Sequence, residues 1–231
     1  MAQLPLALKL NPHASFDSFV AGANRAAVEH LRAVAAGERA ESVWLSGPAG
    51  SGRSHLLAAA CRAAGDAGRR SIYLALDPGR DPGLLANLEA IDLIALDDLG
   101  RVAGRREWEA ALFAVFDSRL VAGGLLLAAD APPADCGFAL PDLTSRAAAA
   151  AVYRLGPLAD EDLAEAVQRL AGARGLELDP GTAGYLLQRV SRELGAIRAW
   201  LERIDRYSLA AQRRITIPLV RRVLEQGGEP E

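Results

Sequence analysis

Lysine is almost missing from this chain of 231 residues. Its 26 basic side chains are Lys9 and 25 arginines. An arginine where lysine is the usual residue therefore carries little meaning by itself. Cysteine is scarce as well. Cys61 and Cys136 lie far apart, which excludes a disulfide scaffold and points to a reducing cytoplasm. No apolar run approaches the roughly 18 residues of a membrane span. The opening MAQLPLALKLNPHAS has no early basic residue and no long apolar core, which argues against a signal peptide. A basic surplus is absent too: the net charge is −3, against a dominant affinity for nucleic acid. Histidines 13, 30 and 55 show no metal-ligand spacing. Ser51 and Ser54 have no His/Asp arrangement around them, so nucleophilic hydrolysis is set aside. Trp44, Trp108 and Trp200 read as core.

What remains is an ordinary soluble composition, 51% hydrophobic and 24% charged, long enough for one α/β domain and a small satellite. The most informative stretch is Gly47-Pro48-Ala49-Gly50-Ser51-Gly52-Arg53-Ser54-His55. It lies between the apolar run Ser42–Ser46 and an Ala/Leu-rich segment, which is the order strand, glycine loop, helix. Apart from Arg53 it fits G-x-x-x-x-G-K-[ST]. Glycines let backbone N–H groups turn toward a polyphosphate, and the helix that follows offers its positive end to the same anion. Ser54 sits where a hydroxyl ligates Mg²⁺. Arg53 keeps a cation, but a planar and bulkier one. Nucleotide binding is expected to survive this change, with hydrolysis weak or dependent on a partner. His55 reads as a surface residue at the helix start.

Alternation of strand and helix continues to about residue 155. Strands are expected at 71–76, 93–98, 125–129 and 152–155, and helices at 25–36, 55–64, 83–89, 106–123 and 147–151. The pattern implies a parallel sheet with helices on both faces. The run Leu93–Leu96 ends in Asp97 and Asp98. An acid at that strand end holds Mg²⁺ directly or through water, and Asp98 stands where related ATPases often carry a water-activating Glu. Asp130 ends the next strand and could sense a γ-phosphate. After Pro157 no long strand follows, and four helices are expected over 160–173, 181–190, 193–211 and 218–226. Asp160, Asp179 and Thr216 are candidate N-caps, with Pro218 in a first turn.

Two arginines have competing readings. Arg146 follows the loop-like lead Leu140–Ser145 and precedes a helix. It is either an arginine finger for a nucleotide on another subunit or a surface residue. Arg198, early in a lid helix, either folds over the chain's own nucleotide or pairs with Glu202 one turn on. At the N-terminus, Gln3 with Leu4, Leu6 and Leu8 suits an apolar groove on a partner, although six residues by themselves favour a terminus tucked against its own domain.

Taken together, GPAGSGRSH, LIALDDL, LLLAAD, LPDLTSR and RELGAIRAW, with SFDSFVAGAN ahead, resemble the AAA+ module of the bacterial replication initiator DnaA over roughly residues 16–226. The closer resemblance is to the Hda-type regulators, a DnaA-like module without the DNA-binding domain, whose phosphate loop also reads GRSH. The resemblance implies an α/β AAA+ P-loop core with a parallel sheet and a small all-α lid. It divides the chain into a clamp-binding segment (1–15), a nucleotide-binding domain (16–156) and a helical lid (157–231). It further implies ADP or ATP with Mg²⁺ held by Ser54 and Asp97, Asp130 and Arg198 as first and second sensors, and Arg146 as the finger in trans. The implied partners are the DnaA initiator and the DNA polymerase III sliding clamp, the latter through Gln3, Leu4, Leu6 and Leu8. DNA is reached only through the clamp, no membrane is involved, and a homodimer is allowed. The implied location is cytoplasmic, at the nucleoid. Ala7 stands where the clamp motif usually has proline, and Ala147–Ala151 replace the usual aromatic residue and glycine after the finger. A DnaC-like helicase loader and a P-loop metabolic kinase are the competing functions.

Overall fold

The computed structural model describes residues 14–119, 123–156, 158, 160–172, 174–191, 194–211 and 214–226. The segment with Gln3, Leu4, Leu6 and Leu8 lies outside them. The chain divides into two compact units. Of the described residues, one comprises 14–16, 24–48 and those between 53 and 156, and the other 17–23, 49–52 and those from 158 to 226.

The first unit is built on five parallel strands: β1 (Ser42–Ser46), β2 (Ser71–Ala75), β3 (Leu93–Asp97), β4 (Gly124–Ala129) and β5 (Ala151–Arg154), in the order β2-β3-β4-β1-β5. β3 and β4 are buried along their whole length, as expected where helices cover both faces of a parallel sheet. Those helices are α1 (Arg25–Ala36), α2 (Arg53–Asp66), α3 (Arg106–Arg119) and α4 (Pro141–Ala148). α1 stops at Gly37, whose left-handed φ of 83° closes the last turn onto Ala33 and Val34 carbonyls. Trp44 and Trp108 are both in the core, and the Trp44 indole N–H donates to the Ala131 carbonyl at 3.1 Å. Strand register aligns Ser46 with Ala129 and Ala75 with Asp97. The residues just beyond these ends, Gly47, Asp98 and Asp130, therefore lie along one edge of the sheet. In doubly wound sheets ligands bind at this carboxyl edge.

Two expectations for this unit change. The helix expected over 83–89 is a single 3-10 turn, Pro82–Leu85, capped by Asp81 accepting from the Gly83 N–H. The supposed loop from Leu140 to Arg146 is mostly helix: α4 begins at Pro141, an N-terminal position that needs no backbone N–H. Arg146 thus lies in the last turn of α4 rather than ahead of a helix. The loop before α4 is held by Glu109 of α3, a fully buried carboxylate. It accepts from the backbone N–H groups of Gly104, Ala139 and Leu140 at 2.6, 2.8 and 2.8 Å.

The second unit contains α5 (Asp160–Gly172), α6 (Pro180–Leu187), α7 (Leu194–Ala211) and α8 (Ile217–Gln226) around Leu163, Val167, Leu186, Trp200 and Val220. Asp179 caps α6, accepting from Thr182 N–H at 2.9 Å, and Pro218 falls in the first turn of α8. Among the described residues no helix is long and apolar enough to cross a membrane.

Candidate functional site

The glycine loop joins β1 to α2. Gly47 is buried and Pro48 to Gly50 are exposed. Gly50 and Gly52 have φ of 77° and 96°, the left-handed region that side chains other than glycine rarely occupy. A Cβ at Gly52 would come within 2.5 Å of the Phe19 ring. Glycine is thus required there by backbone and by space. Ser51 has its hydroxyl oxygen buried without a hydrogen-bond partner. An orphaned buried oxygen of this kind is uncommon in folded proteins and suits a site awaiting a polar ligand.

Arg53 opens α2. Its side chain is only 12% exposed, and its guanidinium Nη1 donates at 2.9 Å to Oδ1 of Asp130, which follows β4, the strand beside β1. The cation of the loop and the acid after β4 are therefore already paired. Ser54 is exposed. The phenol of Tyr73 on β2 donates to Asp97 Oδ2 at 2.6 Å. Asp97 is 2% exposed, and its Oδ1 accepts the Asp98 N–H at 2.9 Å. Burial, with Asp97 next, pushes the Tyr73 phenol far above its ordinary pKa.

Asp98 has a left-handed backbone, φ 59°. Burial, and then the neighbouring Asp97, raise its carboxyl pKa above the usual range. The folded state thus holds this proton more tightly than the unfolded chain. Between the two pKa values stability falls as pH rises. Asp98→Asn, which tolerates the left-handed backbone, is expected to raise the melting temperature at neutral pH. The gain should vanish below the ordinary carboxylate range; a variant that melts lower than the parent at pH 7 would contradict this.

Hard oxygen donors fit Mg²⁺. Among the described residues no group of three His, Cys, Asp or Glu could hold a metal. A cation here would rest on Asp97, Ser54 and phosphate oxygens, which is how Mg²⁺ is commonly bound in nucleotide sites.

His55 departs from expectation. It is buried at 5% exposure, and its Nε2 meets the Ser15 carbonyl at 2.9 Å. Its ring anchors the chain ahead of α1. Both cysteines are buried, and burial pushes the Cys61 thiol up to about 12 and the Cys136 thiol to about 11.

Arg146 stands apart from this group. Its guanidinium lies over the Phe113 ring at 4.5 Å and reaches Asp117 at 3.1 Å, both on α3. In the second unit, Arg198 is half-buried in α7, and burial, then the Arg174 charge, lower its pKa. The partner suggested for it, Glu202, bonds Arg174 at 3.2 Å. Tyr73 was missed in the sequence. Its signal was a lone phenol in the apolar run Ser71–Leu76, next to the strand carrying Asp97.

Residues 1–149 match the model of the IstB-like ATP binding proteins. The chain belongs to this family. Residues 160–224 match the Hda lid domain, so this IstB-like ATP-binding chain carries an Hda lid, in agreement with the Hda-type resemblance. Its fold is that of domain III of the Thermotoga maritima replication initiation protein DnaA, with a TM-score of 0.81 at 17% identity, covering 96% of this chain and 99% of that one. AMPPCP-bound DnaA from Aquifex aeolicus is similar at TM-score 0.70 and 22% identity, over 85% of this chain and 66% of that one. The Thermotoga maritima RuvB Holliday junction branch migration motor follows at 0.70 and 18%, over 92% and 72%. At such identities the likeness is one of fold, the AAA+ fold with its helical lid. The IstB-like chain is an adenine-nucleotide-binding protein.

Proposed function

We propose that this chain is a nucleotide-bound regulator of replication initiation. With the DNA-loaded sliding clamp it stimulates hydrolysis of ATP carried by DnaA, and so prevents re-initiation. The observation that carries the reading is the combination of an ATP-binding core and an Hda lid in one chain.

Under this reading Gly47 to His55 form the phosphate loop for ADP or ATP. Backbone N–H groups of Gly50 to Ser54 face the phosphates, and the Ser51 hydroxyl finds its partner there. Arg53 turns from Asp130 toward the phosphates, Ser54 and Asp97 hold Mg²⁺, and Asp98 orients water. Mg²⁺ supplies charge neutralisation on the phosphates. Asp130 then reports the state of the terminal phosphate, while Arg198 acts from the lid as the second sensor. The chain's own hydrolysis is weak. Arg146 completes the site of a neighbouring ATP-bound DnaA, where an arginine stabilises charge on the transferring phosphoryl group. Phe113 below its plane and Asp117 at its edge set its orientation.

Tethering falls to Gln3, Leu4, Leu6 and Leu8, and DNA is reached through the clamp. The helicase-loader and kinase alternatives gain nothing from the lid match. A pull-down on sliding clamp tests the tether. The full chain is expected to bind, and a chain lacking residues 1–8 should lose at least about tenfold in affinity, as when the anchors of a groove-bound motif are removed. Equal binding by both would remove the tether from this account.

A further inference from the structure

The buried acid of the metal site is already satisfied without a metal. Asp97 is 2% exposed, and both carboxylate oxygens accept a hydrogen bond. Oδ1 takes the Asp98 N–H at 2.9 Å and Oδ2 takes the Tyr73 hydroxyl at 2.6 Å. The second distance is that of a charge-assisted O–H···O⁻ bond. One side chain from β2 therefore holds the acid expected at Mg²⁺. β2 is placed for this by its register, which sets Ala75 beside Asp97 and Tyr73 two residues back on the same face.

A buried carboxylate left without partners costs free energy, and a cation is the strongest partner it can gain. Where neutral donors already fill that role, a cation adds less. Each carboxylate oxygen keeps a second lone pair, so Mg²⁺ and its waters can still approach. The metal then supplements the site rather than completing it.

We propose that Tyr73 is a positioning residue that lets this chain hold adenine nucleotide with little dependence on Mg²⁺, by occupying Asp97 Oδ2. This rests on the nucleotide-site reading above and adds to it a way of retaining ADP when free Mg²⁺ changes. In Tyr73→Phe the oxygen alone is removed. Asp97 Oδ2 loses its donor, and Mg²⁺ becomes its best remaining partner.

The test is a fluorescence titration of the full chain with a methylanthraniloyl-ADP probe, in excess Mg²⁺ and in EDTA. For the parent chain the two dissociation constants should differ by less than about threefold. For Tyr73→Phe the ratio should grow by about tenfold, the size expected for one hydrogen bond to a charged group. A melting curve establishes that the variant folds, and the parent ratio is informative without it. A parent ratio above about tenfold, or a folded variant whose ratio matches the parent's, overturns the proposal. Absence of ADP binding by the parent in both buffers removes the nucleotide reading itself, and this inference with it.

Discussion

Arg146→Ala should abolish stimulation of DnaA-bound ATP hydrolysis while leaving the fold intact. An arginine supplied in trans to a transferring phosphoryl group is worth about 10³–10⁵ in rate, so the stimulated rate should fall to the level of DnaA alone. The stability cost is small by comparison. The Arg146–Asp117 pair is exposed, with the aspartate 63% accessible, and such pairs contribute about 0–1 kcal/mol. The stacking on Phe113 at 4.5 Å adds about 0.5–1 kcal/mol at an exposed site. Activity and melting temperature are thus expected to separate. Lysine at 146 should rescue little, because it lacks the planar fork that can bond two oxygens at once. A γ-phosphate release assay on ATP-loaded DnaA, with circular dichroism melting alongside, reads both. Normal stimulation by Arg146→Ala would overturn the role assigned to this residue.

Arg53→Ala is expected to weaken ADP binding by about 100-fold, through two effects of the same sign. The first is loss of a charge-assisted contact to phosphate, about 1.5–3 kcal/mol. The second comes from Asp130. Its carboxylate bonds Arg53 at 2.9 Å, and without the arginine it stands as an unpaired, solvent-exposed negative charge at the strand end beside the loop. Arg53→Ala with Asp130→Asn removes the repulsion without restoring the cation, so it should recover only a few-fold of the loss, at most about 1 kcal/mol for a solvent-exposed charge. Arg53→Lys should bind nearly as the parent, since it keeps a charge that can serve both Asp130 and phosphate. Isothermal titration with ADP measures all four proteins. An Arg53→Ala chain that binds like the parent would show that the cation of this loop does not face the phosphates.

How much of this was legible in the sequence depends on how local the determining interactions are. The strands were readable because β1, β3 and β4 are short buried runs ending at glycine or acid. The lid helices were readable from periodicity and from Asp179 as a cap. The helix α4 was hidden because Pro141 suggests a break, whereas at the first helical position it is well tolerated. His55 was misjudged because its burial comes from Ser15, forty residues away in the chain. The Arg53–Asp130 pair and the Tyr73–Asp97 bond have the same origin: they join strands and loops that only the sheet order brings together. Motif reading supplied the residue types, and the fold supplied their partners. Arg53 shows the difference. In the sequence it was a substitution within a motif and was readily ascribed to a chain poor in lysine. In the fold it is a nearly buried cation already committed to an acid, and nucleotide binding must exchange that partner for phosphate.

Under the proposed function the ATP hydrolysed belongs to the partner. Single-turnover release of labelled γ-phosphate from ATP-loaded DnaA tests it most directly, with clamp-loaded DNA present and the chain added in its ADP form. Acceleration of about 10³ or more over DnaA alone is expected, within the range of trans-acting arginines, and no acceleration when the clamp is left out. Unchanged release with all components present, or equal acceleration by the chain carrying Arg146→Ala, would contradict it.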